Sequence, residues 1–127
     1  EKALERAKSN VKKVKSEDKT LGKAIFICSD VKNFDEKVDT ILENPPFGVK
    51  KKGNDRVFLN VSANNANIVY HFGKSESHNF IEKYAGELKL KVSDRWDFMY
   101  PIKAMYGFHK KRIHRFKASC WRLSKAF

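Results

Sequence analysis

Apolar residues fall at alternating steps of three and four near the start of the chain: Leu4, Ala7, Val11 and Val14. That spacing draws one narrow stripe and predicts a helix over residues 1–15. The polar patch from Ser16 to Thr20, with Gly22, ends it. Ala24-Ile25-Phe26-Ile27-Cys28 is an unbroken apolar run and reads as a buried strand. Asn33 and Glu36 then form a capping box, in which Asn33 caps and Glu36 reaches back. Val31, Phe34, Val38, Ile41 and Leu42 mark one face of the helix this predicts. Asn44-Pro45-Pro46 stops it, because proline cannot continue the ladder and disfavours helix in the residue before it. Phe47 to Asn54 reads as a loop with Lys50, Lys51 and Lys52 at its tip.

Period-two alternation dominates the rest. Val57, Leu59 and Val61 alternate, as do Ile68, Tyr70 and Phe72, with Asn64-Asn65 midway. Asparagine tolerates the left-handed geometry of a tight turn, so a hairpin is expected there. Asn79 and Glu82 repeat the capping-box pattern and open a short helix ended by Gly86. Leu88, Leu90 and Val92 alternate with charged residues as a half-buried strand, followed by a turn at Ser93-Asp94-Arg95. Trp96 to Tyr106 continues the alternation, His109 to Arg112 turns, and Ile113 to Leu123 forms a last strand. In that strand Arg115, Lys117, Ser119 and Trp121 share one face, and His114, Phe116, Ala118 and Cys120 the core face.

These elements predict an α+β fold: N-terminal helices packed on a mostly antiparallel twisted sheet of about five strands, the other sheet face left for a ligand. The 127 residues suit one domain over 1–127, with 1–20 a helical extension from a longer chain. Cys28 and Cys120 make no disulfide framework and read as buried free thiols. No stretch has the ~18–20 apolar residues of a membrane span.

Charge changes the picture. Lys103, Lys110, Lys111, Arg112, Arg115, Lys117, Arg122 and Lys125 contribute +8 of the formal +12, and the stretch from Lys103 to Phe127 holds no acid. Tyr106, Phe108, His109, His114, Phe116 and Trp121 are interleaved with them. Positive charge beside flat rings suits the phosphates and bases of RNA. The expected contact set is Lys50, Lys51, Lys52, Lys103, Lys110, Lys111, Arg115, Lys117, Trp121 and Arg122. Metal-free cleavage of RNA needs a general base, a general acid and a cation for the phosphate. His109, His71 and His114, with Arg112, are the candidates. Neither a metal nor a cofactor is expected: the cysteines lack zinc spacing, and the grouping of Glu87, Asp94 and Asp97 with Lys89 and Lys91 is a weak magnesium signal. Two other readings stay open, a non-catalytic RNA- or DNA-binding module and a basic interaction domain for an acidic protein.

The helical opening through Leu42, the sheet from Arg56 onward and the set His71, Arg95, His109, Arg112 and His114 resemble the small basic C-terminal nuclease domains of bacterial toxins. These are the contact-dependent inhibition and colicin-type toxins, of barnase-like or RelE-like architecture. The resemblance is architectural and matches no motif residue by residue. It implies cleavage of tRNA or rRNA, an acidic inhibitor or immunity protein as partner, and action in the cytoplasm after delivery within a larger secreted or surface protein.

Overall fold

A computed structural model describes residues 2–46, 54–103 and 113–126, with backbone alone at 54, 102–103 and 113–115. The chain divides into two compact units, Glu1–Asn33 and Phe34–Phe127.

In the first unit, α1 spans Lys2–Glu17 and buries none of its residues. The helix expected from the Leu4–Val14 stripe is therefore present, and Asp18 follows it, accepting from the Thr20 amide at 2.9 Å. The strand expected at residues 24–28 is absent. Ile25 and Ile27 are 73% and 52% exposed, and Cys28 is exposed rather than buried. An apolar run becomes a strand only when a neighbour takes up its main-chain groups, and no described strand pairs with it.

The second unit is built on four strands: β1 (Val38–Glu43), β2 (Ala66–Lys74), β3 (Leu90–Lys103) and β4 (Ile113–Lys125). Helix α2 (Asn54–Asn65) joins β1 to β2, and α3 (His78–Glu87) precedes β3. The sheet order is β1-β2-β4-β3. β1 and β2 are parallel, whereas β4 is antiparallel to both of its neighbours. The class is α+β as expected, but the sheet has four described strands and is mixed, not a five-stranded antiparallel meander.

Three local features account for the difference. The capping-box pattern at Asn33 sits instead at the end of a 3-10 turn, Val31–Asn33, and the segment expected to be helical becomes β1. Val38, Thr40 and Ile41 are β-branched and favour a pleated surface over a helix. Residues 57–61 are almost wholly apolar, so they satisfy both periods. The structure takes the helical one, which puts Leu59 and Ala63 on one buried face. Asn64-Asn65 is a break, but it joins a helix to a strand. A strand–helix–strand unit requires a parallel pair, where a hairpin would have required an antiparallel one. The turn expected at Ser93-Asp94-Arg95 is a bulge inside β3, between Val92 and Asp94. Helix α3 forms where a helix is expected, but Ser77 is its N-cap, without a side-chain cap bond, and Asn79 lies inside it rather than capping it; Lys89, at φ 62°, turns the chain into β3.

Leu59 and Ala63 of α2 and Ile81 and Ala85 of α3 pack on Val69, Trp121 and Leu123, so both helices cover one sheet face. Gly73 belongs to that face because a Cβ there would lie 3.3 Å from the Trp121 ring. On the other face Tyr70 meets Trp96, with ring centroids 6.3 Å apart, and Phe72 meets Phe98 at 6.5 Å. Leu42, Trp96 and Tyr100 there remain half or more exposed.

Candidate functional site

In an open sheet with parallel strands, ligands bind beyond the carboxyl ends of those strands. The carboxyl end of β1 runs directly into Asn44-Pro45-Pro46, with Asn44 exposed, Pro45 buried and Pro46 exposed. Glu43 pairs with His71 in the β1–β2 register. The turn therefore emerges beside the carboxyl end of β2, where Lys74 and Ser75 follow. Two successive prolines remove two backbone N–H donors. Pro45 and Pro46 can therefore only accept hydrogen bonds through their backbone carbonyls, whereas the exposed Asn44 carboxamide can both accept and donate.

The strands β3 and β4 reach the same end of the sheet. β2 pairs with β4 from Ile68↔Ser124 to Lys74↔Ala118, while Ile113 to Lys117 pair with β3 alone, opposite Lys103 to Met99. This two-stranded ribbon extends past β2, with Met99, Tyr100 and Lys117 exposed. Its strands lie two and three positions from β1, or roughly 10–15 Å at ordinary strand spacing.

Beneath the turn lies a buried charged cluster. The His71 ring has no exposed surface. Its Nδ1 is 2.7 Å from Glu43 Oε1, and its Nε2 is 2.9 Å from Asp55 Oδ1. The Ser62 hydroxyl donates to the other Glu43 oxygen at 2.5 Å. Carboxylates only accept, so two of them on one ring are satisfied together when both ring nitrogens carry protons. Burial pushes the imidazolium pKa down. The hydrogen bonds and charges of Asp55 and Glu43 outweigh that, and the net result lies above the ordinary 6.5.

A second network runs from the end of β2 into β3. Asp97 accepts from the Ser119 hydroxyl at 2.5 Å and from Arg95 Nε at 2.8 Å. The Ser119 proton is thus committed, so Ser75 donates to Ser119 across 2.6 Å. The Ser119 hydroxyl is the main influence holding the Asp97 carboxyl below its ordinary value. Among the described residues no cluster of three or more His, Cys, Asp and Glu is arranged to hold a metal ion. The cavity lined by Lys37, Asn65 and Lys125 lies at the opposite end of β1 and β2. There Lys37 and Lys125 donate to the Asn64 and Ala63 carbonyls at the C-terminus of α2, as cations at a helix C-terminus do.

The expected site residues are distributed as follows. His71 is in the buried cluster. Lys50, Lys51, Lys52, His109, Lys110, Lys111 and Arg112 lie outside the described residues. Lys103, His114 and Arg115 have described backbone only, within the ribbon. Lys117 is exposed. Trp121, expected on an exposed stripe, has no exposed surface, and its indole donates to His78 Nδ1 at 2.9 Å. The cause is that its sheet face is the one α2 and α3 cover. Arg122 lies on the opposite face and donates to the Ser93 hydroxyl at 2.7 Å. Cys120 is buried, which raises its thiol pKa. The residues that sequence reasoning misses are Asn44, Pro45 and Pro46, which pass for a helix stop, and Glu43 and Asp55. The legible signal is the loss of two N–H donors next to an amide side chain. No helix of the described residues is long and apolar enough to cross a membrane.

No family model matches the chain. It is 35% identical over 88 residues to the rRNA N(6)-adenosine-methyltransferase METTL5 of Danio rerio, a match covering 68% of this chain and 42% of that protein. An uncharacterized protein of Methanocaldococcus jannaschii is 27% identical over 135 residues, covering 97% of the chain and 59% of that protein. A Pyrococcus horikoshii crystal structure, provisionally described as an RNA methyltransferase, superposes with a TM-score of 0.67 at 34% identity, covering 77% of this chain and 49% of that one. The chain thus spans about half the length of the relatives it matches. These likenesses overturn the resemblance to nuclease toxin domains. The RNA-cleaving function, the toxin role and the hydrolase chemistry expected of His109, His71 and His114 go with it, and the immunity-protein partner loses its support.

Proposed function

We propose that this chain carries the nucleobase-binding part of an RNA methyltransferase that modifies the N6 amine of adenosine. The observation that carries the reading is the exposed Asn44, followed by Pro45 and Pro46, at the carboxyl end of the parallel strand β1. The likeness to a methyltransferase named for that reaction supports it.

The chemistry follows from the amine. Its lone pair is delocalised into the purine ring, which makes the nitrogen a poor nucleophile. The Asn44 carboxamide oxygen and a carbonyl of the proline turn would accept its two N–H groups, orient the nitrogen and draw the lone pair out of conjugation. The N–C bond then forms as the donor's bond to the methyl carbon breaks, the bonding pair leaving with the donor, and one N–H proton passes to solvent water. A methyl donor supplies the methyl group. None of the described residues is assigned to holding it, and every role named for this chain's residues is on the base side. The basic β3–β4 ribbon, at the same end of the sheet, would hold the RNA backbone.

The test is transfer of an isotope-labelled methyl group to RNA by a protein in which this chain is joined to a methyl-donor-binding part, with nucleoside analysis of the product. Label in N6-methyladenosine, reduced about 10²–10³-fold in Asn44→Ala, is the expected result. No label, label on another nucleoside, or an unaffected Asn44→Ala variant overturns the reading.

A further inference from the structure

Glu43 immediately precedes Asn44 and bonds His71 Nδ1; Asp55, in the first turn of α2, bonds His71 Nε2. We propose that the His71 ring is a positioning residue that staples the end of β1 to the start of α2 and so holds Asn44-Pro45-Pro46 in register for its nucleotide. The inference rests on the function proposed above.

The geometry suits that role. His71 sits in the middle of β2, held by pairing on both sides, to Glu43 of β1 and to Trp121 of β4. It is therefore a rigid anchor for two chain ends. The Ser62 hydroxyl holds the second Glu43 oxygen, so both oxygens of that carboxylate are bonded. The groups around the ring are few. Glu43 faces it from β1 and Asp55 from α2, while the uncharged Trp121 ring lies 6.2 Å away on β4. Beyond Trp121 stand Arg95 of β3, 5.9 Å over the indole, and His78 of α3, bonded to its nitrogen. The two carboxylates are the only acidic groups bonded to the ring among the described residues, and together they require it doubly protonated. Loss of that proton breaks one end of the staple.

The experiment has two parts on the full chain. Two-bond proton–nitrogen correlation of the imidazole should show both His71 nitrogens protonated at pH 7, and the Asn44 carboxamide resonance should shift with the same midpoint. In Asp55→Asn that midpoint falls and the Asn44 resonance moves at neutral pH. A neutral single tautomer at pH 7, or an Asn44 resonance indifferent to the titration, overturns the staple whether or not methyl transfer is observed. In the transfer assay Asp55→Asn and His71→Gln should lower kcat/KM about ten- to hundredfold. Asp55→Asn, which keeps the shape of the side chain, should also move the alkaline limb of the pH profile. Unchanged kinetics in both variants overturns the positioning role. An inactive wild-type chain with an intact titration overturns only the methyl-transfer reading, and the coupled Asn44 shift then still decides the staple.

Discussion

Replacing His71 by leucine removes a ring with no exposed surface that bridges Glu43 and Asp55. Glu43 is then left 7% exposed, with the Ser62 hydroxyl as its remaining bonded partner. Stranding one member of a buried charge pair costs about 3–5 kcal/mol, a large share of the ~5–15 kcal/mol that holds a domain folded. The Asp55 side chain is 37% exposed, so water compensates its loss and nothing is added for it. His71→Leu with Glu43→Leu removes the whole pair and should recover most of the deficit, since apolar replacement of a buried pair is often neutral. In urea, with a slope of about 1–3 kcal/mol/M, the single variant's midpoint should fall by about 2 M and the double variant's by much less. The gap to wild type also depends on pH. The folded His71 pKa lies above its ordinary 6.5, so its contribution is complete below that value and is lost as pH rises through the raised folded value. The wild-type advantage should therefore shrink from pH 6 toward pH 9. A single variant that loses under about 1 kcal/mol, a double variant as unstable as the single, or a gap that is flat with pH would refute the reasoning.

Gly73→Ala places a methyl group 3.3 Å from the Trp121 ring, which is fully buried and must give way; thermal unfolding should show a loss of about 1–3 kcal/mol, and an unchanged midpoint would mean that the ring has room. RNA affinity of the full chain should fall linearly on a log–log plot against salt, and replacing Lys110, Lys111 and Arg112 by alanine should flatten the slope by about 2 if these residues meet single-stranded phosphates, at about 0.7 per contact. An unchanged slope removes them from the RNA surface.

The elements legible in the sequence are those whose period has one reading. The Leu4–Val14 stripe and the apolar set Phe80, Ile81 and Tyr84 mark α1 and α3, and the alternation after Ile113 marks β4. Elements that fit two periods mislead: Val38 to Leu42 patterns as helix and is strand, and Val57 to Val61 patterns as strand and is helix. These two exchanges hide the β1–α2–β2 unit, and with it the parallel pair whose carboxyl end makes the candidate site.

Residue identity and short-range spacing settle composition and local chemistry: a basic, aromatic-rich C-terminal stretch suited to RNA, a pair of prolines beside an asparagine, and a few amphipathic elements. Which faces are buried and which distant groups meet is settled by the assembled sheet. Trp121 shares its alternation with Arg115 and Lys117, as an exposed stripe would, but α2 and α3 cover its side of the sheet. Glu43, Asp55 and His71 are far apart in sequence; Glu43 and Asp55 read as surface charges when taken alone, and His71 as a catalytic candidate. Only the parallel register, which sets Glu43 opposite His71, and the start of α2, which delivers Asp55 to the other ring nitrogen, turn them into one ion cluster around a buried ring. The reason is physical: short-range pattern specifies what a residue can do, whereas burial and charge pairing depend on contacts that close only when the sheet is assembled.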